Sequence, residues 1–308
     1  MRAELLDVVT VINNPIRWHS RIRLFKKFVA HMLDSGVRLT VVECEYGERP
    51  FQIVDADYTN VNIIHVRAHT MLWLKENLIN IGISRLPPDW KYLCWADADI
   101  MFRHLHWAAE TVHALQLYQL VQPWAHCYDL GPDGEHLQAH TSFCKVFRDG
   151  GPICGKWENG YTFPHPGFAW AATRQAFDWL GGMIEIAILG AGDHHMALSL
   201  VGKAEASLPG NISQDYKNTV MAWQQRATTH ICQNISYVPG TIEHQWHGPK
   251  ERRAYVDRWQ ILTSNNYDPV TDIKKNSFGV LELTGNKPRL RYDIDRYFRS
   301  RNEDSNTV

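Results

Sequence analysis

The chain has no run of eighteen uninterrupted apolar residues, so none of its segments has the length of a membrane-spanning helix. It has no excess of either charge, with 32 Lys and Arg against 33 Asp and Glu. No global field therefore draws it to nucleic acid or an anionic membrane, and any such contact must come from a local patch. Its six cysteines, Cys44, Cys94, Cys127, Cys144, Cys154 and Cys232, include no Cys-x-x-Cys spacing, which suits reduced thiols and makes disulfides unnecessary. Met1 to Asp7 has no basic segment followed by a long apolar stretch, so a soluble protein of the cytoplasm is expected, with no membrane partner. The common phosphate cradles are missing too. There is no Gly-x-Gly-x-x-Gly after the first strand pattern and no Gly-Lys-Ser/Thr loop. A Gly-x-Ser-x-Gly elbow and a His-Glu-x-x-His pair are likewise absent, which lowers hydrolase and zinc-peptidase readings. What remains is carboxylate and histidine chemistry.

At 308 residues the chain can bury a substantial core, and a single large domain is expected. Asp7 to Asn13, Val37 to Cys44, Val61 to Val66 and Tyr92 to Trp95 read as strands. Between them, Arg21 to Leu33 and Leu72 to Leu86 read as helices, the first closed by Ser35-Gly36 and the second by Pro87-Pro88. Such alternation predicts an α/β fold with a mostly parallel central sheet flanked by helices, with ligands beyond the carboxyl ends of the strands. Trp107 to Leu117 and Thr173 to Leu180 read as further helices, and Leu120 to Gln122 and Pro166 to Ala172 as further strands. His126 to Tyr161, rich in Gly, His and Asp, has little periodicity and is expected to be a mobile loop. Cys127, His136, His140, Cys144 and Cys154 in that loop could alternatively hold zinc, although their spacing fits no standard finger.

Three features carry chemistry. The strand Tyr92 to Trp95 runs through Ala96 into Asp97-Ala98-Asp99, and residues two apart on a strand face the same way, so the two carboxylates would project together at roughly 7 Å separation. That arrangement suits a magnesium-type ion completed by substrate phosphates. Gly190-Ala191-Gly192 leads into Asp193 at the start of a helix, where the macrodipole favours an ionised carboxylate able to act as a general base, or simply as a cap. His244-Gln245-Trp246-His247-Gly248 could supply an imidazole to a divalent ion, with His247 the preferred ligand. Twelve tryptophans, among them Trp73, Trp95, Trp124, Trp157, Trp170 and Trp246, offer faces for sugars or bases and equally fill cores. Basic residues gather at Lys250, Arg252, Arg253 and Arg258, and again from Lys287 to Arg301, as a solvated face or a phosphate contact.

Taken in order, Asp97-x-Asp99, His165-Pro166-Gly167-Phe168-Ala169-Trp170, Gly190-Ala191-Gly192-Asp193 and His247-Gly248 resemble the GT-A fold glycosyltransferases. Trp73-Leu74-Lys75-Glu76-Asn77, Leu86-Pro87-Pro88-Asp89-Trp90, Val121-Gln122-Pro123-Trp124 and Gly190 to Met196 are similar to bacteriophage glycosyltransferases of hydroxymethylated DNA bases, relatives of the base J glucosyltransferase. The resemblance implies a catalytic domain over about residues 1–265, with a nucleotide-sugar half to about 125, an acceptor half over about 160–265 and a C-terminal extension over 266–308. It implies a metal-dependent, inverting transfer from a UDP-linked nucleotide-sugar, with Mn2+ or Mg2+ as cofactor and the hydroxymethyl group of a modified pyrimidine in DNA as acceptor. Asp99, His247 and Asp97 would hold the metal, Asp97, Lys75, Asn77 and Trp170 the donor, Gly192, His194 and Trp124 the acceptor, and Asp193 would be the base. The third motif has Gly-Asp where many relatives have Glu-Asp. A glycan or lipid-linked acceptor, and a metal-dependent nucleotidyltransferase that releases pyrophosphate, are the competing readings.

Overall fold

Leu6 to Asn13 is apolar or small at nearly every position, the pattern of a strand covered on both faces, and it forms the central strand β1. The computed structural model describes residues 4–154, 164–253 and 257–306. Beside β1 lie β2 (Arg38–Tyr46), β3 (Val61–Ala68) and β4 (Tyr92–Ala96). With β6 (Leu120–Gln122), β9 (Ala169–Thr173) and β10 (Ile235–Tyr237) they make a seven-stranded sheet in the order β10-β6-β9-β4-β1-β2-β3. Strand β9 runs antiparallel to both neighbours, and the other pairings are parallel. The α/β class with a mostly parallel sheet is thus as the alternation predicts.

Helices α1 (His19–Asp34), α2 (Lys75–Ser84) and α3 (Trp107–Leu115) follow β1, β3 and the short β5 (Ile100–Phe102), as expected for crossover connections. Leu24, Phe25, Phe28, Val29 and Met32 form the buried stripe of α1. The residues before α2 are irregular rather than helical, with Trp73 N–H bonded to the Ile188 carbonyl, so the helix begins three residues later than the apolar pattern suggests.

A second sheet corrects the loop expectation. Residues 126–141 form a hairpin, β7 (His126–Leu130) with β8 (His136–Thr141), followed by α4 (Phe143–Arg148) capped by the Ser142 hydroxyl. Residues 155–161 of the expected loop, including Trp157, lie outside the described residues. The hairpin escapes a periodicity reading because its residues are mostly polar and its apolar face is thin. It pairs through β7 with β11 (Thr241–His244), which pairs in turn with β5, giving the order β5-β11-β7-β8. This small sheet brings the ends of segments more than a hundred residues apart to one place.

The remainder packs around these sheets. Helices α5 (Arg174–Leu180), α6 (Gly192–Leu200), α7 (Gln214–Arg226), α8 (Arg258–Ser264), α9 (Pro269–Asp272) and α10 (Pro288–Ser300) accompany the hairpin β12 (Ile273–Lys275) and β13 (Leu281–Leu283). Residues 266–306 are tied to the body: the Asn77 amide donates to the Gly279 carbonyl, and its carbonyl oxygen accepts from Leu281 N–H. All six cysteines are free, as expected. Among the described residues no helix is long and apolar enough to cross a membrane.

Candidate active site

Asp97 and Asp99 follow the last residue of β4, at the carboxyl edge of the parallel strands. The Asp97 N–H bonds to the Phe168 carbonyl at 2.8 Å, and its carboxylate meets the Lys75 ammonium at 2.5 Å. Lys75 heads α2, and burial, which would lower its pKa, is outweighed by Asp97, Asp193 and Glu76, which hold it charged. Asp97 is raised by burial against the opposing pull of Lys75. Asp97 is therefore paired with a lysine, and it is not among the side chains that gather with Asp99 as candidate metal ligands.

Asp99 turns the other way. Pairing of β5 with β11 sets His244 opposite Ile100, and Gln245 N–H bonds to the Asp99 carbonyl at 2.8 Å. Three residues on, Gly248 turns the chain at φ +89°, where a side chain would strike the Asn302 carbonyl at 2.7 Å. The result is a buried trio, Asp99, His244 and His247, each offering one ligand atom within 4.8 Å of the others. The His247 Nε2 lies 3.1 Å from Asp99 Oδ2 and 3.2 Å from His244 Nε2, and His244 Nε2 lies 3.8 Å from Asp99 Oδ1.

Proton positions decide what this trio is for. Burial would raise the carboxyl of Asp129, but hydrogen bonds from His140 and His244 hold it well below the usual range, so it only accepts. The His244 Nδ1–H donates to Asp129 Oδ1 at 2.7 Å, which leaves Nε2 as a lone pair. The Arg253 guanidinium donates to His247 Nε2 at 3.0 Å, so that nitrogen is a lone pair as well. Burial first, then Arg253 and Arg21, hold the His247 imidazole down to about 4 and thus neutral at pH 7. Burial would raise Asp99, yet His247, His244 and Arg21 hold it far below the usual carboxylate range. Its Oδ1 is buried with no hydrogen-bond partner. Two imidazole nitrogens and a carboxylate converge, with Arg253 on His247 Nε2 and Arg21 on Asp99 Oδ2 as their present donors, and Asp99 Oδ1 is left for a cation. The residues fit a divalent ion.

Asp129 is the hub behind the trio, since it also accepts from His140 Nε2 and from the Lys250 ammonium, which bonds Gln138 as well at 2.7 Å. Arg21 donates to Asp99 Oδ2 at 3.1 Å and pairs with Glu303. Arg21 and Arg253 thus touch the trio directly and Lys250 reaches it through Asp129, three cations that balance the carboxylates of Asp99, Asp129 and Glu303 and offer donors to an anionic ligand such as a diphosphate.

Asp193 lies in the first turn of α6. Gly190 and Ala191 both have positive φ, +93° and +85°, and Asp193 Oδ1 accepts its neighbour's His194 N–H at 2.8 Å. Its other oxygen rests against Gly167, where a Cβ would come within 2.7 Å. Gly167 precedes Phe168, the residue that binds the Asp97 backbone and itself has φ +70°. Residues 165–168 therefore form a strained floor touching both Asp97 and Asp193. Gly192 backs onto Glu76, whose carboxyl would lie 2.5 Å from any side chain there, and burial pushes Glu76 up to about 8. His194 is half-buried and its imidazole is lowered by burial.

Several expected site residues are elsewhere. Trp124 is fully buried, its indole donating to the Ala169 carbonyl, and Trp170 is buried with its indole on the Pro166 carbonyl. Both are core, because residues on β9 and beside β6 face the packed helices, so neither is open to acceptor or donor. Asn77 is 1% exposed and engaged by Glu185, Gly279 and Leu281, so it is structural as well. The zinc alternative also fails: among the described residues the trio is the one cluster of three such ligands, and Cys127, His136, His140, Cys144 and Cys154 do not gather. Asp129, Arg21 and Glu303 escaped the sequence reading, while His244 and Arg253 entered it only as members of the His244 to Gly248 segment and of the basic cluster after it. The His-x-x-His spacing and the basic cluster after it were the available signals.

The fold and site together define an α/β protein with a buried Asp-His-His cluster, a candidate cation site, at the carboxyl edge of a mostly parallel sheet. No protein-family model and no curated protein sequence matches the chain. Among solved structures it is similar to a Drosophila β1,4-galactosyltransferase 7 mutant complexed with manganese, UDP-Gal and xylobiose. That match has 15% identity and a TM-score of 0.35 over 67% of this chain, and the chain spans 63% of that protein's length. It is also similar to GalNAc-T7 with UDP, GalNAc and Mn2+, at 12% identity and a TM-score of 0.48 over 87% of this chain and 50% of the other. A third is the mannosyltransferase PcManGT of Pyrobaculum calidifontis with GDP-Man and Mn2+, at 14% identity and a TM-score of 0.43, covering 95% and 69%.

Proposed function

We propose that this protein is a GT-A type, metal-dependent glycosyltransferase that moves a sugar from a nucleotide-sugar to an acceptor hydroxyl with inversion. The observation that carries this reading is the convergence of Asp99, His244 and His247 lone pairs, ringed by Arg21, Lys250 and Arg253, beside the Lys75–Asp97 pair and Asp193. A bound Mn2+ or Mg2+ would offset charge on the departing diphosphate as a Lewis acid. Asp99, His244 and His247 would hold it. Arg21, Lys250 and Arg253 would meet the phosphate oxygens, and the Lys75 ammonium would keep Asp97 oriented toward the donor. Asp193, held open by Gly167, would take the proton of the acceptor hydroxyl as its oxygen attacks the anomeric carbon. The bond from that carbon to the diphosphate breaks, and a nucleoside diphosphate leaves. One base and one attacking oxygen give a single displacement, hence inversion.

For the acceptor, the reading follows the resemblance to the hydroxymethyl-DNA glycosyltransferases, with a local feature in its favour. Arg289, Tyr292, Arg296 and Arg299 recur at i, i+3, i+7 and i+10 on the exposed face of α10, a basic stripe on a molecule of near-zero net charge. Incubation with a panel of nucleotide-sugars, Mn2+ and either hydroxymethylated duplex DNA or oligosaccharides tests both levels. A hexose mass gain on the hydroxymethyl nucleoside supports the DNA acceptor, and gain on an oligosaccharide alone replaces it with a glycan. Release of pyrophosphate in place of a nucleoside diphosphate would convert the reading to nucleotidyl transfer.

A further inference from the structure

We propose that Glu303, in the C-terminal tail after α10, is a positioning residue of the metal centre, holding His247 and Arg21 in the arrangement that leaves Asp99 open to a cation. The inference rests on the glycosyltransferase reading only for the identity of the ion. Glu303 is 5% exposed, and its carboxylate is held well below the usual range, burial being outweighed by Arg21 and Arg301. Oε1 pairs with Arg301 Nε at 2.7 Å and Oε2 with Arg21 Nε. The same Oε2 faces His247 Nδ1 at 3.7 Å, and that nitrogen is buried with no hydrogen-bond partner. Since Arg253 donates to Nε2, the ring's proton sits on Nδ1 and points at Glu303. A carboxylate behind the distal nitrogen of a ligating histidine is the arrangement that fixes its tautomer and raises its basicity.

Glu303 acts on Asp99 as well. Arg21 is divided between two carboxylates, its Nε on Glu303 and its Nη1 on Asp99 Oδ2. Without Glu303 the planar guanidinium would be free to grip Asp99 through two parallel hydrogen bonds and compete with the ion for its oxygens. The tail is built to hold this position. Gly248, one residue after His247, packs against the Asn302 carbonyl and the Glu303 Cα, an approach that no larger residue permits. Asp304 caps α1, accepting from His19 and Ser20 N–H at 3.0 and 2.7 Å, and the Trp246 indole donates to the Ser305 carbonyl at 2.7 Å. The last turn of the tail thus sits between the helix that carries Arg21 and the segment that carries His247.

The test is Mn2+ binding to the full chain without donor, read by the loss of the free-ion electron paramagnetic resonance signal, for wild type, Glu303→Gln, Glu303→Asp and His247→Ala. Glu303→Gln preserves shape and should weaken Mn2+ by about 10- to 100-fold, with Glu303→Asp intermediate and His247→Ala weaker than either. Melting temperatures in the absence of Mn2+ separate loss of the site from loss of the fold. Should Glu303→Gln not fold, the Glu303→Asp comparison carries the same test. Wild-type affinity in a folded Glu303 variant overturns the proposal while leaving the metal centre intact. Failure of the wild type to bind Mn2+ removes both the proposal and the metal reading.

Discussion

Asp193 and Glu76 show how neighbouring carboxyls, one against Gly167 and the other against Gly192, acquire different chemistry. Asp193 is half-buried beside Lys75 and Gly167, with one oxygen against the glycine floor. Asp193→Asn should lower kcat by on the order of 10²- to 10⁴-fold with donor affinity largely retained, measured by steady-state kinetics against donor titration calorimetry. Glu76 is fully enclosed and pushed up to about 8 by burial, against an unfolded value of 4.5. The unfolded chain therefore releases this proton first. Stability suffers no penalty below pH 4.5, falls as pH rises from there to about 8, and levels off beyond. Glu76→Gln should match wild type in urea unfolding near pH 4 and exceed it at pH 8, by up to a few kcal/mol if nothing else titrates. No gain at pH 8 would mean that the buried carboxyl finds compensation as an anion.

At the scale of elements, β11 and its partners matter most, because pairing with β5 and β7 aligns His244 with both Asp99 and Asp129. The β12–β13 hairpin has a different task. Asn77 anchors it to α2 through two hydrogen bonds, to Gly279 and Leu281, and its amide also bonds Glu185. Asn77→Ala should cost about 1–3 kcal/mol in denaturant unfolding and leave donor affinity unchanged in the folded fraction. A selective drop in donor affinity would return Asn77 to the donor site that the resemblance assigns it. Helix α10 has a legible pattern that the sequence reading missed: Leu290, Ile294, Tyr297 and Phe298 follow the helical repeat, and Pro288 opens the first turn. Its many arginines obscured a stripe of only four apolar positions.

For the whole molecule, the consequence of a balanced charge is that any polyanion must be held by the arrangement of charges rather than their sum. Replacing Arg296 and Arg299 by Gln should weaken binding of hydroxymethylated duplex DNA and reduce the slope of log affinity against log salt by about one for each phosphate no longer neutralised. Mn2+ affinity should not change. An unaltered slope would show that DNA, if bound, lies along another face.

The sequence by itself determined the α/β alternation, the strand-end position of Asp97 and Asp99, the glycine-framed helix start at Asp193 and the turn at His247-Gly248, because each follows from local periodicity or turn chemistry. Only the tertiary structure decided that Asp97 belongs to Lys75, that His244 joins Asp99, and that Trp124, Trp170 and Asn77 are interior. Those outcomes depend on which strands become neighbours. Pairing of β5 with β11 joins Phe102 to Ile242, and the returning tail sets Asp304 against Ser20, 284 positions away. Local pattern carries no information about which distant segment will supply the partner, since that choice is made by packing the whole core at once.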